Sequence, residues 1–145
     1  MTNKMCFIAF TFFFSEIISA CDCPKITTID QDFSSSKFVA HGVVNEIKAD
    51  TSKGFSEGLV GKFQVLEVFK GSASSIKFVR GGTHSSGGSC MVKLEPGEYL
   101  IYSDEEVAFV SSCHFSERIE RYSKEKKDSL LKSLRNLSQQ QPLAN

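Results

Sequence analysis

The sequence predicts a mainly β domain in which five short strands form a small Greek-key barrel, followed by one C-terminal helix. Short β-branched and aromatic runs recur between Gly- and Pro-marked turns from Phe38 to Val110. A charged stretch from Ser116 to Gln141 carries leucines at helical spacing. The length of 145 residues bounds the rest: one domain, no internal repeat and no second core.

Residues 1–20 read as an export signal. Lys4 supplies a basic start, Cys6 to Phe14 is apolar but far shorter than the ~18 residues a spanning helix needs, and Ile18-Ser19-Ala20 offers a small-residue cleavage site. The expected mature chain opens at Cys21 and is secreted or periplasmic. Without the leader, five of the thirteen Phe and one of the five Cys disappear, leaving Cys21, Cys23, Cys90 and Cys113. Four cysteines behind an export signal read as two disulfides. Ile18-Ser19-Ala20-Cys21 also fits a lipoprotein signal, in which Cys21 would be acylated and membrane-anchored.

In the mature chain, residues 25–36 read as a short helix ending in serines, and 38–49 as a strand with Gly42 at a bend or bulge. Residues 50–61, with their three Gly, read as a hairpin loop before a second strand over 62–69. The third strand is expected over 76–80 and the fourth over 98–102, after a Pro96-Gly97 turn. A fifth is expected over 107–110. Gly- and Ser-rich residues 81–89 form an exposed loop, and residues 116–145 a helix and tail with Tyr122, Leu130, Leu134 and Leu137 near one face and Leu131 beside it.

Composition narrows the function. Lys+Arg 17 against Asp+Glu 17 gives no field to attract nucleic acid. His41, His84 and His114 are scattered and read as a strand residue and two surface residues; Ser85, Ser86 and Ser89 near His84 lack a nucleophile elbow. Gly82 to Ser89 misses a phosphate loop because Gly88 stands where the lysine belongs, and Glu105-Glu106 makes a poor acid/base pair. No enzyme and no cofactor are expected, and the chain is expected to be a monomer. Asn136-Leu137-Ser138 is a glycosylation sequon.

The cysteine pattern is the strongest signal. Four cysteines allow three pairings, and a direct Cys21–Cys23 ring would be cramped, so both are expected to reach across the fold. Each such bridge would contribute roughly 4–5 kcal/mol by restricting the unfolded chain. A zinc site is disfavoured because C-x-C is tighter than the usual C-x₂₋₄-C.

An exported chain opening Cys21-Asp22-Cys23-Pro24, with FVAHGVVNEI, FQVLEVFKG, GGSCMVKLEPGEYLIYS and a closing SSC, resembles the netrin-like domain of tissue inhibitors of metalloproteinases and their shorter bacterial relatives. The resemblance spans residues 21–115. It implies an OB-like five-stranded barrel with bridges Cys21–Cys90 and Cys23–Cys113. It also implies inhibition of a zinc metalloprotease by an exposed ridge, Cys21 to Pro24 with Gly88, Ser89, Cys90 and Met91, in which the Cys21 α-amine and carbonyl oxygen chelate the protease's zinc. The amine must be deprotonated to bind, and an α-amino pKa near 7.7–8.0 makes that easy at neutral pH. Asp22 stands where the family's inhibitors carry Thr or Ser, so a carboxylate faces an apolar pocket and an acidic base. The third bridge and the C-terminal subdomain of the animal inhibitors have no counterpart here.

Overall fold

A computed structural model describes residues 28–51, 58–74, 76–83, 90–104 and 108–140. The chain runs α1 (Ile29–Ser35), β1 (Phe38–Ala49), β2 (Gly58–Lys70), β3 (Phe78–Gly82), β4 (Gly97–Ser103), β5 (Ala108–Phe109), β6 (Glu117–Arg118) and α2 (Lys124–Gln140). It is mainly β, with one curled open sheet in the order β5-β3-β2-β1-β4-β6 and a C-terminal helix.

The sheet has six strands rather than the expected five. The outer edge of β4 pairs with β6, through Tyr99↔Arg118 and Leu100↔Glu117, while the short β5 lies parallel to β3. Residues 116–123, expected to be helical, instead hold this sixth strand. Ser116 is buried: its hydroxyl accepts from Tyr102 N at 2.8 Å and donates to Tyr102 O at 3.1 Å, which ties the segment to β4. The helix begins only after Ser123, whose hydroxyl accepts from Lys126 N. The second strand starts at Gly58 rather than Lys62, because Gly58–Lys62 is gripped by β1 on one side and β3 on the other. Likewise β3 covers 78–82; Ile76 precedes it and plugs the core.

Bulges explain how so few strands curl. Along β1–β2 the register skips one β2 residue at Phe69 and another at Leu66, and one extra β1 residue at Glu46-Ile47, where Glu46 takes φ 47°. Each adds local bend and twist. Phe69 turns into a core, whereas Leu66 points out and is 54% exposed. Gly42 sits beside one of these bulges as expected. A Cβ there would lie 2.5 Å from the Gln64 carbonyl oxygen and 2.7 Å from the Phe63 ring, so only glycine lets the two strands approach.

Two cores flank the sheet. Inside the curl, Phe38, Ala40, Val44, Phe63, Val79, Tyr99 and Ile101 pack together. On the outer face, alternate residues Val39, Leu100 and Tyr102 meet Phe33 of α1 and Leu131 and Leu134 of α2. Strand β4 is therefore apolar on both faces, as EYLIY requires. Tyr122, Leu130 and Leu137 join the same outer core, so the expected helix face is the docked one.

Charge fastens α2 to this face. His41 Nε2 lies 2.9 Å from Glu98 Oε1, Lys127 bonds the other oxygen of Glu98, and Arg135 grips Glu67 in a fork at 2.7 and 2.8 Å. Lys127, and then His41, hold the Glu98 carboxyl below its ordinary value of 4.5. A depressed carboxylate contributes stability above its unfolded pKa and loses it as pH falls through the folded one. Stability should therefore fall on acidification below about pH 4.5, and Glu98→Gln should flatten part of that slope. Urea midpoints measured from pH 7 to 3 check this; parallel curves for the two proteins would refute it.

Candidate functional site

The described part of the expected ridge is the stretch from Cys90 onward. Residues 90–94 form an irregular strand between two backbones. Gly82 N donates to Val92 O at 2.8 Å and Leu94 N to Gly82 O at 3.0 Å on one side. On the other, Val92 N donates to Val110 O and Ser112 N to Cys90 O, both at 2.8 Å, around an antiparallel Met91↔Ser111 bridge. The Ser112 hydroxyl adds a second bond to Cys90 O at 3.2 Å. Cys90 and Cys113, distant in sequence, thus sit on adjoining, hydrogen-bonded segments. Cys90 and Met91 are half-buried. Cys21, Asp22, Cys23, Pro24, Gly88 and Ser89 lie outside the described residues, as do His84, Ser85, Ser86, Glu105 and Glu106.

A buried carboxylate connects the N-terminal side of the domain to this place. Asp32, on the inward stripe of α1, is fully buried. It accepts from Phe115 N at 2.7 Å, and its Oδ1 lies 2.8 Å from His114 Nδ1. His114 is therefore not the plain surface residue expected: its side chain is only 17% exposed and is spent on Asp32. His41 is a strand residue as read, but it too is committed to a carboxylate, Glu98.

Asp32 was missed in the sequence although a signal existed. Ile29, Asp32, Phe33 and Ser36 fall on one helical stripe, so a carboxylate at the second of these positions had to be buried with a partner. Thr28 caps this helix by accepting from Gln31 N at 3.2 Å.

A second feature adjoins the Cys90–Met91 segment. A cleft of about 450 Å³ is walled by Val92, Val110 and Tyr99 and rimmed by Lys93, Arg118 and Arg121. The three cations converge on Glu95: Lys93 reaches Oε1 at 2.9 Å, and Arg118 and Arg121 reach Oε2 at 2.8 and 3.6 Å. Lys93, with Arg118 and Arg121 behind it, holds the Glu95 carboxyl below the ordinary range. Gly97 takes φ 148° under this cluster; a Cβ there would lie 2.6 Å from Arg118 Nε. Asn136, of the sequon, is exposed on α2.

No protein-family model matches the chain, and no curated protein matches it in sequence.

Proposed function

We propose that the protein is an exported, disulfide-stapled binding domain that inhibits a zinc metalloprotease, with Cys21–Cys90 and Cys23–Cys113 as its bridges and an OB-like, partly open barrel as its frame. The observation that carries this reading is the juxtaposition of Cys90 and Cys113 on hydrogen-bonded neighbouring segments. A C-x-C pair spans about 6.5 Å in extended chain, which suits two partners one backbone apart. The Asp32 contacts to His114 and Phe115 support it further, since they hold α1, a few residues after Pro24, against the segment leaving Cys113. The strand order, with β1 between β2 and β4 and β3 parallel to β5, supports the barrel frame.

On this reading the Cys21 amine and carbonyl oxygen fill the open position of the protease zinc and displace its water. Two bridges hold the chelating end rigid, so little entropy is lost on binding. Asp22 meets the protease pocket with a desolvated charge, and Asp22→Thr tightens inhibition.

The test is an inhibition assay on a panel of zinc endopeptidases, using exported chain whose mass shows an unmodified Cys21 and no free thiol. One Ala added before Cys21 should weaken inhibition by roughly a hundredfold or more, the loss of one good chelating contact. Equal inhibition by the extended chain would overturn chelation. An acyl adduct on Cys21 would instead identify an envelope-anchored protein that binds a partner without inhibiting a protease.

A further inference from the structure

We propose that Asp32 is a positioning residue for the Cys90–Met91 segment, acting from α1 through residues 111–115. Its bearing on inhibition rests on the reading of that segment as part of the ridge; the contacts that carry it do not. Residues 111–115 lie between two anchors. At one end Ser112 N and the Ser112 hydroxyl donate to Cys90 O at 2.8 and 3.2 Å, beside the Met91↔Ser111 bridge. At the other, the Ser116 hydroxyl is held by both backbone groups of Tyr102. Between them the chain runs shallow: Ser112 is exposed, and Cys113, His114 and Phe115 are half-buried. Packing alone does not fix such a stretch, so its path depends on specific hydrogen bonds.

Asp32 supplies those bonds from a buried and anchored site. One carboxylate oxygen accepts from Phe115 N at 2.7 Å, and the other lies 2.8 Å from His114 Nδ1. The helix that carries Asp32 has its own hold on the sheet. Phe33 is buried in the outer core, and Lys70 donates to Phe33 O and Ser34 O at 2.8 and 2.9 Å. Loss of the carboxylate therefore leaves α1 docked and loosens 113–115, next to the Ser112 bonds that fix Cys90 O. A ridge segment that samples more conformations loses more entropy on docking, so this looseness is read as weaker inhibition.

Native-state hydrogen exchange at the Ser112 amide, followed by NMR, tests the role without any protease. The control is Leu134→Ala, which acts on the far side of β4 from α2. With urea adjusted so that both variants have equal global stability, Ser112 should exchange roughly tenfold faster in Asp32→Ala than in Leu134→Ala. Asp32→Asn, which keeps an acceptor for Phe115 N, should restore most of the protection. If Asp32→Ala does not fold, His114→Ala removes one of the two contacts at a partly exposed site and should give roughly threefold. Equal exchange in the matched variants, or no rescue by Asp32→Asn, would overturn the role. Against a zinc endopeptidase that the parent inhibits, Asp32→Ala should raise the inhibition constant roughly tenfold, Asp32→Asn much less and Leu134→Ala not at all. An unchanged constant for Asp32→Ala would also overturn it. If the parent inhibits no protease while the exchange pattern is found, the protease reading fails and the positioning role stands.

Discussion

Asp32→Ala should cost about 3 kcal/mol of folding stability, read as a large drop in the urea midpoint with little change in slope. The change removes a fully buried carboxylate and leaves three groups without it, Phe115 N, the His114 ring and, at 3.5 Å, the Ser36 hydroxyl. Losing one partner of a buried pair leaves the other desolvated and unpaid by any contact, so the cost exceeds that of an ordinary hydrogen bond. His114 keeps some solvent contact, which holds the effect at the lower end of the range for buried pairs. Asp32→Asn keeps an acceptor for Phe115 N and should cost distinctly less. In a double-mutant cycle, Asp32→Ala and His114→Ala should be strongly non-additive, because they remove the same contact. A loss below about 1 kcal/mol for Asp32→Ala would show that α1 is held mainly by the packing of Phe33 and the Lys70 bonds to its last carbonyls.

That contact also marks where sequence reasoning stops. Strand β1 is found over the residues expected because Phe38, Ala40 and Val44 turn inward while Val39 turns out, an alternation written in side-chain types. The apolar face of α2 was legible for the same reason. The start of β2 was not: Gly58 and Gly61 have weak strand preference, and their extended form is imposed by β1 and β3 on either side. Nor was β6. Glu117–Arg118 is charged and lies before a helix, and it becomes a strand because Ser116 is captured by the backbone of Tyr102 and Ile119 is buried behind it. At the candidate site the cysteines were legible as types, but not that Cys90 and Cys113 become neighbours, since the backbone bonds joining 90–92 to 110–112 have no side-chain signature. The cleft escaped altogether, because its cations come from separate segments and read singly as surface charge.

Leu134→Ala should be among the most damaging substitutions in the domain, at about 2–5 kcal/mol, although it lies in a stretch that reads as an appended helix and tail. Leu134 is fully buried between α2 and the outer face of β1 and β4, beside Val39, Leu100, Tyr102 and Ile119. Truncation leaves a cavity that β4 cannot close by moving, because its other face is packed into the first core through Tyr99 and Ile101. Leu137→Ala, on the same stripe but only partly buried, should cost clearly less. Both are read from urea unfolding followed in parallel by far-ultraviolet circular dichroism and tyrosine fluorescence. If α2 is integral, the two signals of Leu134→Ala move together to a lower midpoint, since one strand carries both cores. A helix that melts early while the sheet keeps the parent's midpoint would make α2 a separable tail. The burial of Leu134 and the Lys127 and Arg135 clamps on Glu98 and Glu67 argue for one cooperative unit.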